Sequence, residues 1–224
     1  MGMSNQKTNR RLALIALMIP VFTICGCRFS VGMLRSVLGD TMVPSAFEMR
    51  TTVDLSKGEK RLLILCSASH TVTSEEASLP IDVLTGVATR LRQQGIEVVD
   101  PDDVADWMDT HGAWDDLEGL ASEFEADYIA VIHLNALSYI EPNSSSLYRA
   151  AAQGSIQLHE VIDQGTDDAF VAQRYSAPIN ETYPKSHPIS ADQTSESMFR
   201  KQAMDYLITV FARHFHSYHE RETI

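Results

Sequence analysis

The hydrophobic positions of this chain repeat with the period of strands in some segments and of helices in others. Residues 61–66 form a short apolar run, and residues 127–140 open with a nearly continuous one, as is typical of strands buried on both faces. Residues 155–162 alternate between apolar and polar side chains instead. A turn at 163–167 is therefore predicted to join that strand to residues 168–176 as a hairpin.

Four helices are predicted from apolar residues that lie three and four positions apart. The first ends at Gly95 as a left-handed cap, the second follows Asp100 as its N-cap, and the third carries the stripe Leu117–Phe124. The last helix is predicted to be capped by Ser190 or Asp192. Its apolar stripe comprises Met204, Leu207, Ile208, Phe211 and Phe215.

The order of these elements predicts the fold class. It is strand, helix, strand, helix, helix, strand, strand, strand, helix, and helical crossovers make the first three strands parallel. The hairpins add antiparallel strands. We therefore expect an α/β (α+β) domain with a mixed β-sheet of about five strands and helices packed on it.

A charged and then apolar N-terminus predicts export. Lys7, Arg10 and Arg11 precede the uncharged run Leu12–Cys25, which is too short to cross a hydrocarbon layer of about 30 Å comfortably. This layout is typical of a secretory signal peptide. Two alternatives stay open, namely secretion without an anchor and an uncleaved anchor helix, since 16 uncharged residues precede Arg28.

The signal ends in Ile24–Cys27, with the sequence Ile-Cys-Gly-Cys, which resembles a bacterial lipobox. In a lipobox, an aliphatic residue and two small residues precede the cysteine that receives a diacylglyceryl group and a palmitate. The resemblance implies cleavage between Gly26 and Cys27 and lipid attachment to Cys27. Cys25 departs from the pattern, because Ala, Ser or Thr usually occupies that position. Two or three acyl chains, at about 0.8 kcal/mol per buried CH₂, hold a protein firmly on a membrane.

Four segments follow from these patterns. The signal peptide occupies residues 1–26, a lipidated N-terminus and tether occupies 27–58, a periplasmic α/β domain occupies 59–217, and a polar tail occupies 218–224. The apolar residues of the tether show no sustained period, and Ala46–Val53 is expected to add an edge strand to the sheet.

Composition and charge exclude several classes of protein. The 224 residues are 44% hydrophobic and 21% charged, which is typical of one globular domain rather than a disordered tail or a multi-span membrane protein. The formal net charge is −12, and loss of the signal, which holds three basic residues and no acidic one, makes it −15. Such a chain is unsuited to binding nucleic acid.

The three cysteines leave no pair for an intramolecular disulfide. Cys25 is lost with the signal peptide and Cys27 is lipidated, so only Cys66 keeps a free thiol.

The residues that suggest chemistry form weak motifs. Cys66 and His70 follow a predicted strand at its C-terminal end, where α/β proteins place their sites, so an envelope hydrolase that uses this pair is an alternative function. His214, His216 and His219 suggest a metal site, but on a helix the first two point roughly 200° apart. We therefore expect no catalytic residue, no metal and no cofactor.

Residues 175–190 are the best candidate for binding a protein partner. They include Tyr175, Tyr183, His187 and three prolines. Exposed aromatic side chains on a loop stiffened by proline lose little entropy when they dock. The polar stretch 141–147 is a second candidate, and the alternative is that the proline-rich loop folds over the edge of the sheet.

Several local sequences, together with the order of elements, resemble a known family. After the lipobox and tether come the strand Leu62–Leu65, the sequence Ile-Glu-Val-Val-Asp-Pro at 96–101 and the strand entry Ala126–Tyr128. They resemble the periplasmic α/β domain shared by curli-secretion channel lipoproteins and penicillin-binding-protein activator lipoproteins. The resemblance covers residues 60–217, but the long amphipathic hairpin of the curli channel family is missing.

These features together predict the function class and the location. We expect a non-enzymatic lipoprotein that is anchored to a membrane of the cell envelope by its lipid, faces the periplasm and serves a protein partner as an accessory or assembly subunit. A further alternative function is that of a structural lipoprotein, which forms a homo-oligomer through the edge of its sheet.

Lipid attachment to Cys27 gives the first testable prediction. Because Gly26 directly precedes Cys27, palmitate labelling of the Cys27→Ser variant should be lost, whereas the Cys25→Ser variant should keep its label. Label that survives in the Cys27→Ser variant would contradict the assignment.

Overall fold

The computed structural model describes residues 42–111, 116–166 and 169–220. The predicted signal peptide, with Gly26 and Cys27, lies outside these residues. No helix in the described part of the chain is long and apolar enough to cross a membrane.

The chain divides into two compact units. The larger unit is Pro44–Ser217. The smaller unit includes the strands β1 and β8, which pair antiparallel. In chain order, the described elements are β1 (Met42–Val43), α1 (Ala46–Thr51), β2 (Arg61–Ala68), α2 (His70–Glu75), α3 (Leu79–Gln93), β3 (Glu97–Val98), α4 (Pro101–His111), α5 (Leu117–Glu123), β4 (Tyr128–Ile140), β5 (Leu147–Ile162), β6 (Phe170–Tyr183), β7 (Ile189–Ser190), α6 (Glu196–Ala212) and β8 (Tyr218–His219).

The main sheet has the strand order β3-β2-β4-β5-β6, and β7 pairs with the start of β5. Strand β2 is parallel to both β3 and β4, because helices lie between these strands in the chain. Strand β5 is antiparallel to both of its neighbours, β4 and β6. The predicted mixed α/β sheet is thus confirmed. The left-handed cap at Gly95, with φ +80°, is also as predicted.

One face of the sheet forms the main core with α1, α3 and α6. Phe211 and Phe215 are fully buried there, opposite the alternating residues Ile156 and Leu158 of β5. The expected packing of helices on the sheet is confirmed for the last helix, but Phe215, which was predicted to belong to its stripe, lies beyond the helix end at Ala212. The other face is covered by α4 and α5 over β2 and β4, where a second core forms from Leu63, Ile129, Val104 and Leu120.

Residues before the predicted domain belong to the main core. Ala46–Thr51 is helix α1, so the expected edge strand at Ala46–Val53 is wrong. The helix forms because the Ser45 hydroxyl accepts a hydrogen bond from the Glu48 N–H, as an N-cap does. Phe47 is then fully buried, and its ring meets the aromatic rings of β4 and β6 edge-on.

Three other boundaries differ from the predictions. Helix α2 is not among the four predicted helices. Ser195 caps α6, because Ser190 pairs with Leu147 in the sheet and so cannot act as the cap. Strand β6 continues to Tyr183, well beyond the predicted end at residue 176, since Pro178 lies within an edge strand, where proline is tolerated.

The burial of Phe47 gives a stability prediction. The Phe47→Ala variant should lose about 3–5 kcal/mol of unfolding free energy, because it empties a fully buried aromatic site. Met49 lies on the same helix with 65% of its surface exposed, so the Met49→Ala variant should change stability by less than about 0.5 kcal/mol. Urea unfolding measures both, and equal, small effects would show that α1 is not part of the core.

Candidate functional site

Tyr175 lies inside the domain and not on an exposed loop. It is on β6 and only 4% exposed, and burial raises its pKa. Its hydroxyl oxygen is 2.6 Å from His214 Nδ1, and its ring meets Phe47 edge-on with 6.2 Å between centroids. The expectation that Tyr175 is an exposed aromatic is therefore wrong, because its side chain lies on the face of β6 that packs into the main core.

The other two predicted partner residues lie in different surroundings. Tyr183 is half-buried at the end of β6, where its ring stacks on Tyr206 at a centroid distance of 5.0 Å. His187 is exposed on the loop that follows. Of the three aromatic residues, only His187 has the exposure that the docking hypothesis requires, so they do not form one surface.

The alternative catalytic pair, Cys66 and His70, lacks an activated nucleophile. Cys66 is 6% exposed, and burial raises the pKa of its thiol to about 12. The thiolate form is therefore scarce at neutral pH. His70 is exposed at the first position of α2, and no hydrogen bond between it and Cys66 occurs in the described residues.

The structure brings together a serine and a histidine that the sequence did not indicate. Ser67 Oγ and His133 Nδ1 are 2.7 Å apart, because β2 and β4 pair in a register that places the two residues side by side. A base that close can take the proton of a serine hydroxyl. Among the described residues, however, no carboxylate is hydrogen-bonded to His133, so the pair serves here as a link between two strands.

Two of the three histidines that suggest a metal site are hydrogen-bonded to neighbours. His214 faces Tyr175, and His216 Nδ1 is 2.8 Å from the carbonyl oxygen of Ser217. Within the described ranges, no three His, Cys, Asp or Glu side chains are grouped so that they could hold a metal ion.

A groove with an apolar floor runs beside α6, from Met198 to Ile208. We call it the α6 groove, and it has a volume of about 560 Å³. Its floor is apolar and consists of Tyr139, Met198, Met204 and Ile208. Its rim is charged and consists of Glu76, Asp82, Arg200, Lys201 and Asp205. Met198 is 52% exposed.

Hydrogen bonds and ring contacts hold the floor of the α6 groove in place. The Tyr139 hydroxyl donates a hydrogen bond of 3.0 Å to Glu76 Oε2, and the Arg200 guanidinium lies 4.4 Å from the centroid of the Tyr139 ring. Burial raises the pKa of Tyr139, and the Glu76 carboxylate raises it further. The phenol therefore stays a neutral donor, and the aromatic floor keeps one orientation.

Comparison with known proteins gives similarities of structure alone. No family model and no curated protein matches the chain. A PelC dodecamer from Paraburkholderia phytofirmans, in a single-substitution form, is 13% identical with a TM-score of 0.46, and the match covers 73% of this chain and 93% of that one. The hypothetical protein CT253 from Chlamydia trachomatis is 12% identical with a TM-score of 0.44, over 70% and 98% of the two chains.

A third similarity is to lipoprotein GNA1162 from Neisseria meningitidis. It is 11% identical with a TM-score of 0.36, over 67% of this chain and 97% of that one. Because all three TM-scores are below 0.5, no functional argument rests on these similarities.

The buried contact of His214 with Tyr175 predicts a pH dependence of stability. Burial lowers the pKa of His214, although the charge of Glu181 acts in the opposite direction. Below the ordinary histidine pKa of about 6.5, the unfolded chain therefore binds the proton more readily than the folded one, and stability falls as the pH falls.

Thermal unfolding between about pH 7.5 and about pH 5.5 measures this effect. The drop in Tm should be smaller for the His214→Gln variant than for the wild type. His159, whose pKa burial also lowers, is half-buried, so the His159→Gln variant is the matched comparison and should reduce the drop less. A His214→Gln variant with the wild-type drop would contradict the assignment.

Proposed function

We propose that this protein is a non-enzymatic lipoprotein of the bacterial cell envelope, anchored through Cys27, and that its α/β domain faces the periplasm and binds a protein partner as an accessory or assembly subunit. The lipobox sequence at Ile24–Cys27 supports the anchor. After signal cleavage the net charge is −15, so anionic headgroups repel such a domain and its adhesion depends on the acyl chains.

The α6 groove is the observation that carries the partner-binding part of the proposal. Protein interfaces commonly have an apolar centre surrounded by a polar rim, and the groove has both. Met198 and Met204 suit such a centre, because the flexible thioether side chain adapts its shape to the residue that docks. An apolar side chain of a partner, seated among these residues, would cover Met198 and remove its apolar surface from water.

Two alternatives have less support. A hydrolase that uses Cys66 and His70 would need a thiolate, and the burial of Cys66 opposes its formation. The family resemblance to curli-secretion and penicillin-binding-protein activator lipoproteins favours an accessory role over a catalytic one. Self-association through the sheet edge is an outcome that the experiments below distinguish from binding of a different protein.

A charge introduced at the floor of the α6 groove tests the proposal. The full-length Met198→Glu variant should lose its partner in chemical crosslinking within the native cell, with recovery of the crosslinked partner reduced at least about tenfold. Met198 is half-exposed, so the change should leave Tm nearly unaltered. The matched control is Met49→Glu, which adds the same charge at another exposed methionine and should keep the partner.

The outcomes separate the two parts of the proposal. A partner that crosslinks equally well to the wild type and to the Met198→Glu variant would show that the α6 groove is not the binding site. Failure of the wild-type protein to crosslink to any envelope protein would contradict the partner-binding function itself.

A further inference from the structure

The outer edge of β6 carries backbone groups that no other described strand uses. The Val161 N–H donates to the Asp127 carbonyl oxygen at 2.9 Å, so the odd-numbered residues of β5 face β4. The even-numbered residues of β5 then face β6, because backbone groups alternate in direction along a strand. Their partners on β6, among them Ala177 and Ile179, use their backbone groups inside the sheet.

The residues of β6 that alternate with these have their backbone N–H and carbonyl groups on the outer edge of the sheet. Ser176, Pro178, Asn180 and Thr182 direct their backbone groups to the outer edge. Pro178 fits this assignment, because proline has no N–H and is tolerated where that group would face solvent. Among the described residues, no hydrogen bond uses the backbone N–H and carbonyl groups of Asn180 and Thr182, which therefore form a short edge that can accept another strand.

Pro178 disfavours a second copy of this chain as that strand. Two β6 strands paired about Pro178 would each lack a donor at the centre of the new ladder. A pairing of Pro178 with Thr182 of the other copy would leave the carbonyl oxygen of that Thr182 without a donor. An extended segment of a different protein, seated on Asn180 and Thr182 alone, meets neither difficulty.

A polar cleft lies at the same part of the edge. We call it the β6 cleft; its volume is about 530 Å³, and it is lined by Arg149, Asn180, Glu181, Thr182 and Lys185. The Arg149 guanidinium donates to the carbonyl oxygens of the loop that follows β6, at 3.3 Å to Pro184, 3.3 Å to Lys185 and 3.4 Å to Ser186. These bonds hold the loop that carries Lys185 beside the strand.

Both cations of the β6 cleft, Arg149 and Lys185, lie near carboxylates, and Lys185 is the one that has no ion pair among the described residues. The Glu181 carboxylate accepts a hydrogen bond of 2.8 Å from the Tyr206 hydroxyl, and Arg149 forms an ion pair with Glu141 at 3.4 Å. The Lys185 ammonium lies 5.8 Å from the centroid of the Tyr206 ring, and no carboxylate of the described residues forms an ion pair with it. A carboxylate on the bound segment would complement this charge.

We propose that the β6 edge at Asn180 and Thr182 binds an extended segment of the protein partner as an added strand, and that Lys185 binds a carboxylate of that segment. In this mode the main-chain hydrogen bonds supply affinity, and the charge contact supplies selectivity. The inference rests on the proposed function and adds to it the mode of binding and the chemistry of the partner segment.

The test uses the full-length protein in detergent and an immobilised library of hexapeptides with free C-terminal carboxylates, together with the same library as amides. The wild type should bind a subset of these peptides. The Thr182→Pro variant removes one outward N–H, at a position equivalent to that of Pro178, and should weaken binding at least about tenfold. The Thr182→Val variant, which keeps the N–H, is the matched control and should bind within about twofold of the wild type.

The contribution of Lys185 is tested with the same peptides. The Lys185→Gln variant should bind the carboxylate peptides only as tightly as the wild type binds their amides. Amide hydrogen exchange of the wild type gives a readout that needs no variant, because a bound peptide should slow exchange at Asn180 and Thr182 and leave Ala177, already bonded inside the sheet, unchanged.

Several results would overturn the inference. The wild type binds no peptide, or it binds peptides no more tightly than the Thr182→Pro variant does. A third such result is that a bound peptide leaves amide hydrogen exchange at Asn180 and Thr182 unchanged. A wild-type dimer in sedimentation that becomes a monomer in the Thr182→Pro variant would assign the edge to a second copy. A cell partner that is lost with Met198→Glu and kept with Thr182→Pro would leave the proposed function standing and remove only this inference.

Discussion

Burial of one face of the mixed sheet under α1, α3 and α6 is the interaction on which the rest of the structure depends. Phe47, Phe211 and Phe215 are among the largest groups that this packing removes from water, and full burial of such a side chain contributes roughly 1.5–3 kcal/mol. The packing fixes the rotation of α6 about its axis. Its buried side faces the sheet, and its N-terminal residues, among them Met198, then line the α6 groove.

Much of the fold could be predicted from the sequence, because long periodic segments bury one face and their pattern records which one. The strand at 61–66, the helix that ends at Gly95 and the stripe around Phe211 are examples. Helix α1 was missed because six residues hold too few turns to show a period, and its single buried residue, Phe47, gains its place only through long-range contacts. The length of β6 was underestimated because proline indicates a loop unless the strand is known to lie at an edge.

The candidate site was much less predictable, because tertiary contacts create it. Tyr139 and Glu76 are 63 positions apart in the chain, and only the packing of β4 beside α2 and α3 brings them into hydrogen-bond contact. The Ser67–His133 pair depends on the register of two strands. Sequence reasoning identified Tyr175 by its residue type, but exposure decides whether an aromatic residue can dock, and Tyr175 is buried.

Two consecutive residues of α6 connect the α6 groove and the β6 cleft. Asp205 lines the groove, and the hydroxyl of Tyr206 donates a hydrogen bond to Glu181, which lines the cleft. The central claim is that a protein partner covers this side of the domain. Amide hydrogen exchange of the full-length protein, alone and in complex with a partner recovered by crosslinking, measures it most directly. The account predicts slower exchange in the complex at residues 180–182 and 198–205, with α4 unchanged. Protection confined to α4 and α5, or no change at α6 and β6, would contradict it.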